Sequence, residues 1–96
     1  MPAAPSQACR VRVLLFAGLR EAAGWGERNL MAAAGATPHQ LWQQLELGSA
    51  WPAGDGAAIG AMGANVRVAI NQCFASADTP LADGDELAFL PPISGG

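Results

Sequence analysis

Apolar and polar positions alternate with the period-two rhythm of a half-buried strand in three stretches of this chain, and recur at helical spacing in one. In Val11-Arg12-Val13-Leu14-Leu15-Phe16-Ala17, one face carries Val11, Val13 and Leu15 and the other carries Arg12, Leu14 and Phe16, so both faces are partly apolar. Gly18 is expected to stop this first strand. Leu19 to Gly26, with two glycines and the charged pair Arg20-Glu21, reads as a connector to a short strand around Arg28 to Met31. Val66-Arg67-Val68-Ala69-Ile70 alternates cleanly. Asn71-Gln72 then makes a tight turn, because asparagine tolerates positive φ, and Cys73-Phe74-Ala75 runs back. Asp83-Gly84-Asp85 predicts a second turn before Glu86 to Leu90, a last strand with Leu87 and Phe89 inward and Ala88 and Leu90 outward.

Thr37-Pro38-His39-Gln40 predicts a helix start: threonine as N-cap, proline at the first helical position and glutamine three residues on to close a capping box. The helix should run to about Leu47, burying Leu41, Leu45 and either Trp42 or Leu47, with Gly48 as its left-handed closing residue. Residues 48–65 hold five glycines and one proline and read as a loop with room for one helical turn. The order strand, strand, helix, strand, short strand, strand predicts an α+β fold with a mixed five-stranded sheet and one main helix on one face. That is the β-grasp, ubiquitin-like layout, although periodicity alone does not separate it from other small α+β folds.

Composition narrows the partners. Ninety-six residues make one small domain, here expected as a disordered arm over 1–8, a folded body over 9–90 and an extended tail over 91–96. A net charge of -3, a complete absence of lysine and five scattered arginines exclude the basic stripe that nucleic-acid binding requires. Two cysteines 64 positions apart, Cys9 and Cys73, cannot form a disulfide framework, and no export signal precedes the first strand, so the expected compartment is the cytoplasm. No apolar run approaches the roughly 20 residues that span a bilayer, so no membrane partner is expected.

The chemistry concentrates in Pro91-Pro92-Ile93-Ser94-Gly95-Gly96. Glycine lacks Cβ, so a terminal Gly95-Gly96 pair passes a channel too narrow for any other residue and presents an α-carboxylate inside it. Pro91 and Pro92 fix φ and stiffen the departure from the last strand. Six extended residues reach about 20 Å, enough to fill a partner's pocket.

The tail does not stand alone. Val11 to Gly24, Val68 to Gln72, and above all Asp83-Gly84-Asp85-Glu86 with Phe89-Leu90-Pro91-Pro92-Ile93-Ser94-Gly95-Gly96, resemble the family of molybdopterin synthase small, sulfur-carrier subunits. Thiamin-pathway sulfur carriers and ubiquitin-like modifiers share the Gly-Gly end but usually lack the Pro-Pro spacer. The resemblance implies that an E1-like adenylating enzyme spends ATP on the Gly96 carboxylate, that sulfide equivalents displace AMP, and that Gly96 becomes a thiocarboxylate. It further implies two copies of this subunit on a dimer of large subunits, tails inserted through Pro91, Pro92, Ile93 and Ser94, and sulfur passed to cyclic pyranopterin monophosphate. On this account the chain binds no cofactor and contributes no catalytic machinery beyond Gly95 and Gly96. Phe16, Phe74 and Leu90, on the outward face of the sheet, are the expected partner contacts. A thiocarboxylate carrier for thiamin, cysteine or tRNA thiolation shares the terminus, as does a ubiquitin-like modifier of lysines on other proteins; a passive interaction domain is the third alternative.

Other candidate sites carry less. Gly54 to Gly60 lacks the spacing, the preceding strand and the Gly-Lys-Ser/Thr of a nucleotide loop. One histidine, His39, and two distant cysteines cannot close a metal site; His39 reads as a solvated helix residue and Cys73 as a packed thiol. Asp83, Asp85 and Glu86 read as solvated turn acids, available to arginines of an activating enzyme, and Arg20 with Glu21 as a local pair or loop cap.

Overall fold

A computed structural model describes residues 8–52, 61–63 and 65–92. Five strands, β1 (Ala8–Leu15), β2 (Glu27–Ala33), β3 (Arg67–Ile70), β4 (Cys73–Ala75) and β5 (Asp85–Leu90), form one sheet in the order β2-β1-β5-β3-β4. β1 and β5 run parallel at its centre and all other pairs are antiparallel. A parallel pair needs a long crossover, and the intervening chain supplies it, carrying α2 (Pro38–Gln44) and α3 (Leu47–Ala50). This is the β-grasp arrangement that the strand order predicts.

The period-two pattern decides which side is the core. Cys9, Val11, Val13 and Leu15 of β1, Val68 of β3 and Leu87 and Phe89 of β5 all face the helices and are buried, as are Leu41, Trp42 and Leu47 on the helical side. The Trp42 ring meets Phe89 edge-on, with centroids 5.2 Å apart, an arrangement the ring quadrupoles favour. The capping box forms as expected: Gln40 N–H donates to Thr37 Oγ1 at 3.2 Å and Thr37 N–H to Gln40 Oε1 at 3.0 Å.

Several elements differ from the sequence expectation. The first strand ends at Leu15, and Gly18 lies inside a helix, α1 (Ala17–Ala23), where a connector was expected; Leu19 is its buried residue and Gly24, at φ 86°, closes it. The helix begun at Thr37 stops at Gln44 rather than near Leu47. Glu46, not Gly48, takes the left-handed conformation (φ 57°), and Gly48 enters α3. Leu47 and Trp42 are both buried while Leu45 is half-buried, because the break re-aims the stripe. Ala8 already belongs to β1, and half of the glycine-rich 48–65 segment lies outside the described residues.

The turns follow the predicted chemistry. Asn71 and Gln72 both have positive φ, 52° and 71°, as a two-residue hairpin between twisted strands requires. Asn71 also ties this hairpin to the start of β5: its Nδ2 donates to Asp85 Oδ1 at 2.9 Å and its Oδ1 accepts from Glu86 N–H at 3.0 Å. Asp85 in turn accepts from Ala82 N–H at 2.8 Å. The acids of this segment are thus partly structural rather than simply solvated.

Candidate functional site

β5 sets the geometry of the tail. As a central strand, flanked by β1 and β3, it is held on both edges. The residue after it, Pro91, is buried, and Pro92 is exposed. The anchored-then-released proline pair fits the expected role of a stiff mount. Ile93, Ser94, Gly95 and Gly96 lie outside the described residues.

The outer face of the sheet beside this exit is apolar. Cross-strand register places Leu14 beside Ala88, Ala88 beside Ala69, and Ala69 beside Phe74, so these side chains form a continuous row across four strands. Leu90 lies next along β5, opposite Arg67 on β3. Phe16, extended at φ -128° and ψ 158°, continues the β1 alternation onto the same face. Ala88 points outward as expected yet is buried, since Leu14 and Ala69 flank it. Phe16 is 42% exposed and Phe74 71%, while Leu90 is half-buried. The three residues expected to contact partners therefore share one face around the exit of the tail.

Charge on that face is uneven. Toward its far end, Arg12 Nε lies 2.9 Å from Glu27 and its Nη1 4.0 Å from Glu86, and Arg10 Nε lies 3.9 Å from Asp83. The Glu27 hydrogen bond and charge push the Arg12 guanidinium further up from its ordinary value. A hollow of about 450 Å³ there is lined by Arg10, Arg12, Asn29, Met31 and Asp85, but its arginines already hold carboxylates. At the tail end, Arg67 lies over Phe74, with Cζ 5.4 Å from the ring centroid, and pairs with no carboxylate among the described residues. Sequence reasoning missed this residue: alternation puts Arg67 on the outer face but does not say what it lies against.

The remaining candidates separate. Cys73 is exposed and not the packed thiol expected, because β4 is a three-residue edge strand with nothing beyond it among the described residues. Cys9 is buried, its thiol pushed up by desolvation and then by the Asp83 and Asp85 charges, and its Sγ donates to Ala33 O at 3.6 Å. His39 is half-buried instead of solvated, its Nε2 enclosed without a partner among the described residues. Arg20 and Glu21 form no ion pair among the described residues; the Arg20 side chain lies against Gly26. The described residues contain no cluster of metal-ligating side chains and no helix long and apolar enough to cross a membrane.

Comparison with known proteins places this geometry. The chain is 37% identical to the molybdopterin synthase sulfur carrier subunit of Escherichia coli strain K12 over 86 residues, covering 90% of this chain and 99% of that one. The crystal structure of small archaeal modifier protein 1 from Haloferax volcanii superposes with a TM-score of 0.72 at 31% identity, covering 91% of this chain and 99% of that one. A complex of subunits 1 and 2 of the molybdopterin-converting factor from Helicobacter pylori matches at a TM-score of 0.53 and 24% identity, covering 91% of this chain and 99% of that one, a likeness of fold alone. The ThiS family model matches residues 13–96, the whole body from mid-β1 through Gly95-Gly96, and the chain belongs to the ThiS family.

Proposed function

We propose that this chain is the sulfur-carrier small subunit of a molybdopterin synthase, with Gly96 as the group that carries sulfur. The observation behind this reading is the near full-length similarity to a molybdopterin synthase sulfur carrier subunit, joined to a Pro91-Pro92 mount at the end of a doubly flanked strand. An E1-like enzyme adenylates the Gly96 carboxylate with ATP; sulfide equivalents expel AMP and leave a thiocarboxylate. A carboxylate oxygen is a poor leaving group until adenylation makes it a good one. The resulting sulfur is an anionic, polarizable nucleophile at neutral pH. Gly95 and Gly96, free of side chains, enter the large subunit's active site, and the sulfur passes to cyclic pyranopterin monophosphate. Ile93 to Gly96, fully extended, span at most about 14 Å, so the body must dock closely, and the outer face bearing Phe16, Phe74 and Leu90 is the surface that docks. Two copies engage a dimer of large subunits, in the cytoplasm.

Intact-mass measurement after co-expression with the cell's activating enzyme and a sulfur source tests this. A gain equal to exchanging one oxygen for sulfur, confined to the C-terminal peptide, is expected, and an unshifted mass under conditions that load a known carrier would overturn it. The likeness to small archaeal modifier protein 1 favours a second reading, a protein modifier joined through Gly96 to lysines elsewhere. That reading requires conjugates that survive denaturing electrophoresis.

A further inference from the structure

We propose that Arg67 is a specificity-determining residue of the docking face, pairing with a carboxylate that the large subunit presents beside the entrance for the tail. The inference rests on the synthase reading above and adds a residue and a charge to it. On one face of one sheet, Arg10 and Arg12 lie within ion-pair distance of Asp83, Glu27 and Glu86. Arg67 pairs with no carboxylate among the described residues and is set between Leu90 and Phe74 at the exit of the tail; Arg20 of α1 is likewise without an ion pair among the described residues, but it lies against Gly26 at the β1 side of the face, beside Leu14, Phe16 and Glu27. Arg67 sits across from Leu90 and over the ring of Phe74.

Arginine suits this place where lysine does not. A planar, weakly hydrated guanidinium stacks on an aromatic face and still offers its edge as a two-pronged donor to a carboxylate. Its place over Phe74 holds the donor edge before the partner arrives, which reduces the ordering cost of binding. A partner with a purely apolar surface here would strip water from the guanidinium and return nothing, a penalty that disfavours such partners. A partner bearing an Asp or Glu opposite Arg67 recovers the loss and fixes the rotational register of docking, and with it the line along which the tail enters. The chain's net charge of -3 gives a carboxylate on the partner no general attraction, so a local cation is what would draw it to this place.

Titration calorimetry of the full-length chain with the purified large subunit from the same organism, at about 50 mM and about 500 mM salt, tests this, since the screening length falls to about 4 Å at the higher value. The parent should bind more weakly at high salt. Arg67→Leu, which keeps apolar bulk, should lose about tenfold or more at low salt and lose most of the salt dependence. Arg67→Lys should fall between them and keep the salt dependence. Phe74→Ala should weaken binding by a similar factor at both salts. Unchanged thermal midpoints establish that the variants are folded. If Arg67→Leu binds as tightly as the parent, or weakens while keeping the parent's salt dependence, the carboxylate assignment is wrong. If the parent itself does not bind, the synthase reading fails first and this inference falls with it.

Discussion

Gly18 shows how one missing Cβ joins two elements. A Cβ built there would lie 3.1 Å from two carbons of the Trp51 ring, so the helix α1 and the residue that closes α3 meet where a side chain is absent. Two effects oppose each other in Gly18→Ala: the first turn of a helix gains less than the about 1 kcal/mol that replacing glycine gives a helix interior, and a contact tighter than van der Waals must relax. These nearly cancel, and the unfolding free energy should move by less than about 1 kcal/mol. Gly18→Val adds two further methyls and a stiff χ1, so overpacking wins, and a loss of about 1–3 kcal/mol is expected with a change in tryptophan fluorescence. Chemical denaturation measures both. A valine variant as stable as the parent would show that Trp51 does not rest on Gly18.

Elements were readable in the sequence to the extent that local chemistry fixed them. The start of α2 is encoded in four residues: Thr37 and Gln40 each take the other's backbone N–H, Pro38 removes an N–H that would have no helical partner, and the capping box forms as they predict. Thr37→Ala should therefore cost about 1 kcal/mol, read as a lower thermal midpoint, whereas Thr37→Ser should cost a few tenths at most; equal losses would mean that the hydroxyl is not the cap. The end of the same helix was not readable. Glu46 accepts a left-handed backbone that glycine would take more easily, because burying Leu47 against the core outweighs the local preference. α1 was hidden for a related reason. It buries only Leu19, too little for a helical period to show, and it follows directly on the apolar run of β1. The proposed docking face was half readable: alternation brings Phe16, Phe74 and Leu90 to one side, but the placing of Arg67 over Phe74 depends on cross-strand register. The exposure of Cys73 likewise depends on β4 being an edge, a property of the whole sheet.

At the scale of the whole molecule, Pro91-Pro92 leaves the sheet from its middle. β5 is locked by β1 on one side and β3 on the other, and Asn71 clamps its start to the β3–β4 turn, so the direction of Pro91-Pro92 follows from the rigidity of the fold. Docking and loading are consequently separable. On the proposed function the apolar face would bind through side chains that do not include Gly96, while adenylation would act on the Gly96 carboxylate. Appending a single leucine after Gly96 should abolish the gain in mass, because the glycine carboxylate becomes an amide and a bulky side chain meets a passage sized for glycine. The appended protein should unfold at the parent's temperature. Its affinity for the large subunit should fall only by what the tail itself contributes, and Phe74→Ala should show the reverse pattern, normal loading with weakened docking wherever the activating enzyme relies less on that ring. Equal loading of the appended chain would mean that sulfur enters at a site other than the Gly96 carboxylate. Equal loss of docking and loading from the leucine alone, with the fold intact, would mean that the tail, and not the sheet, supplies the binding energy.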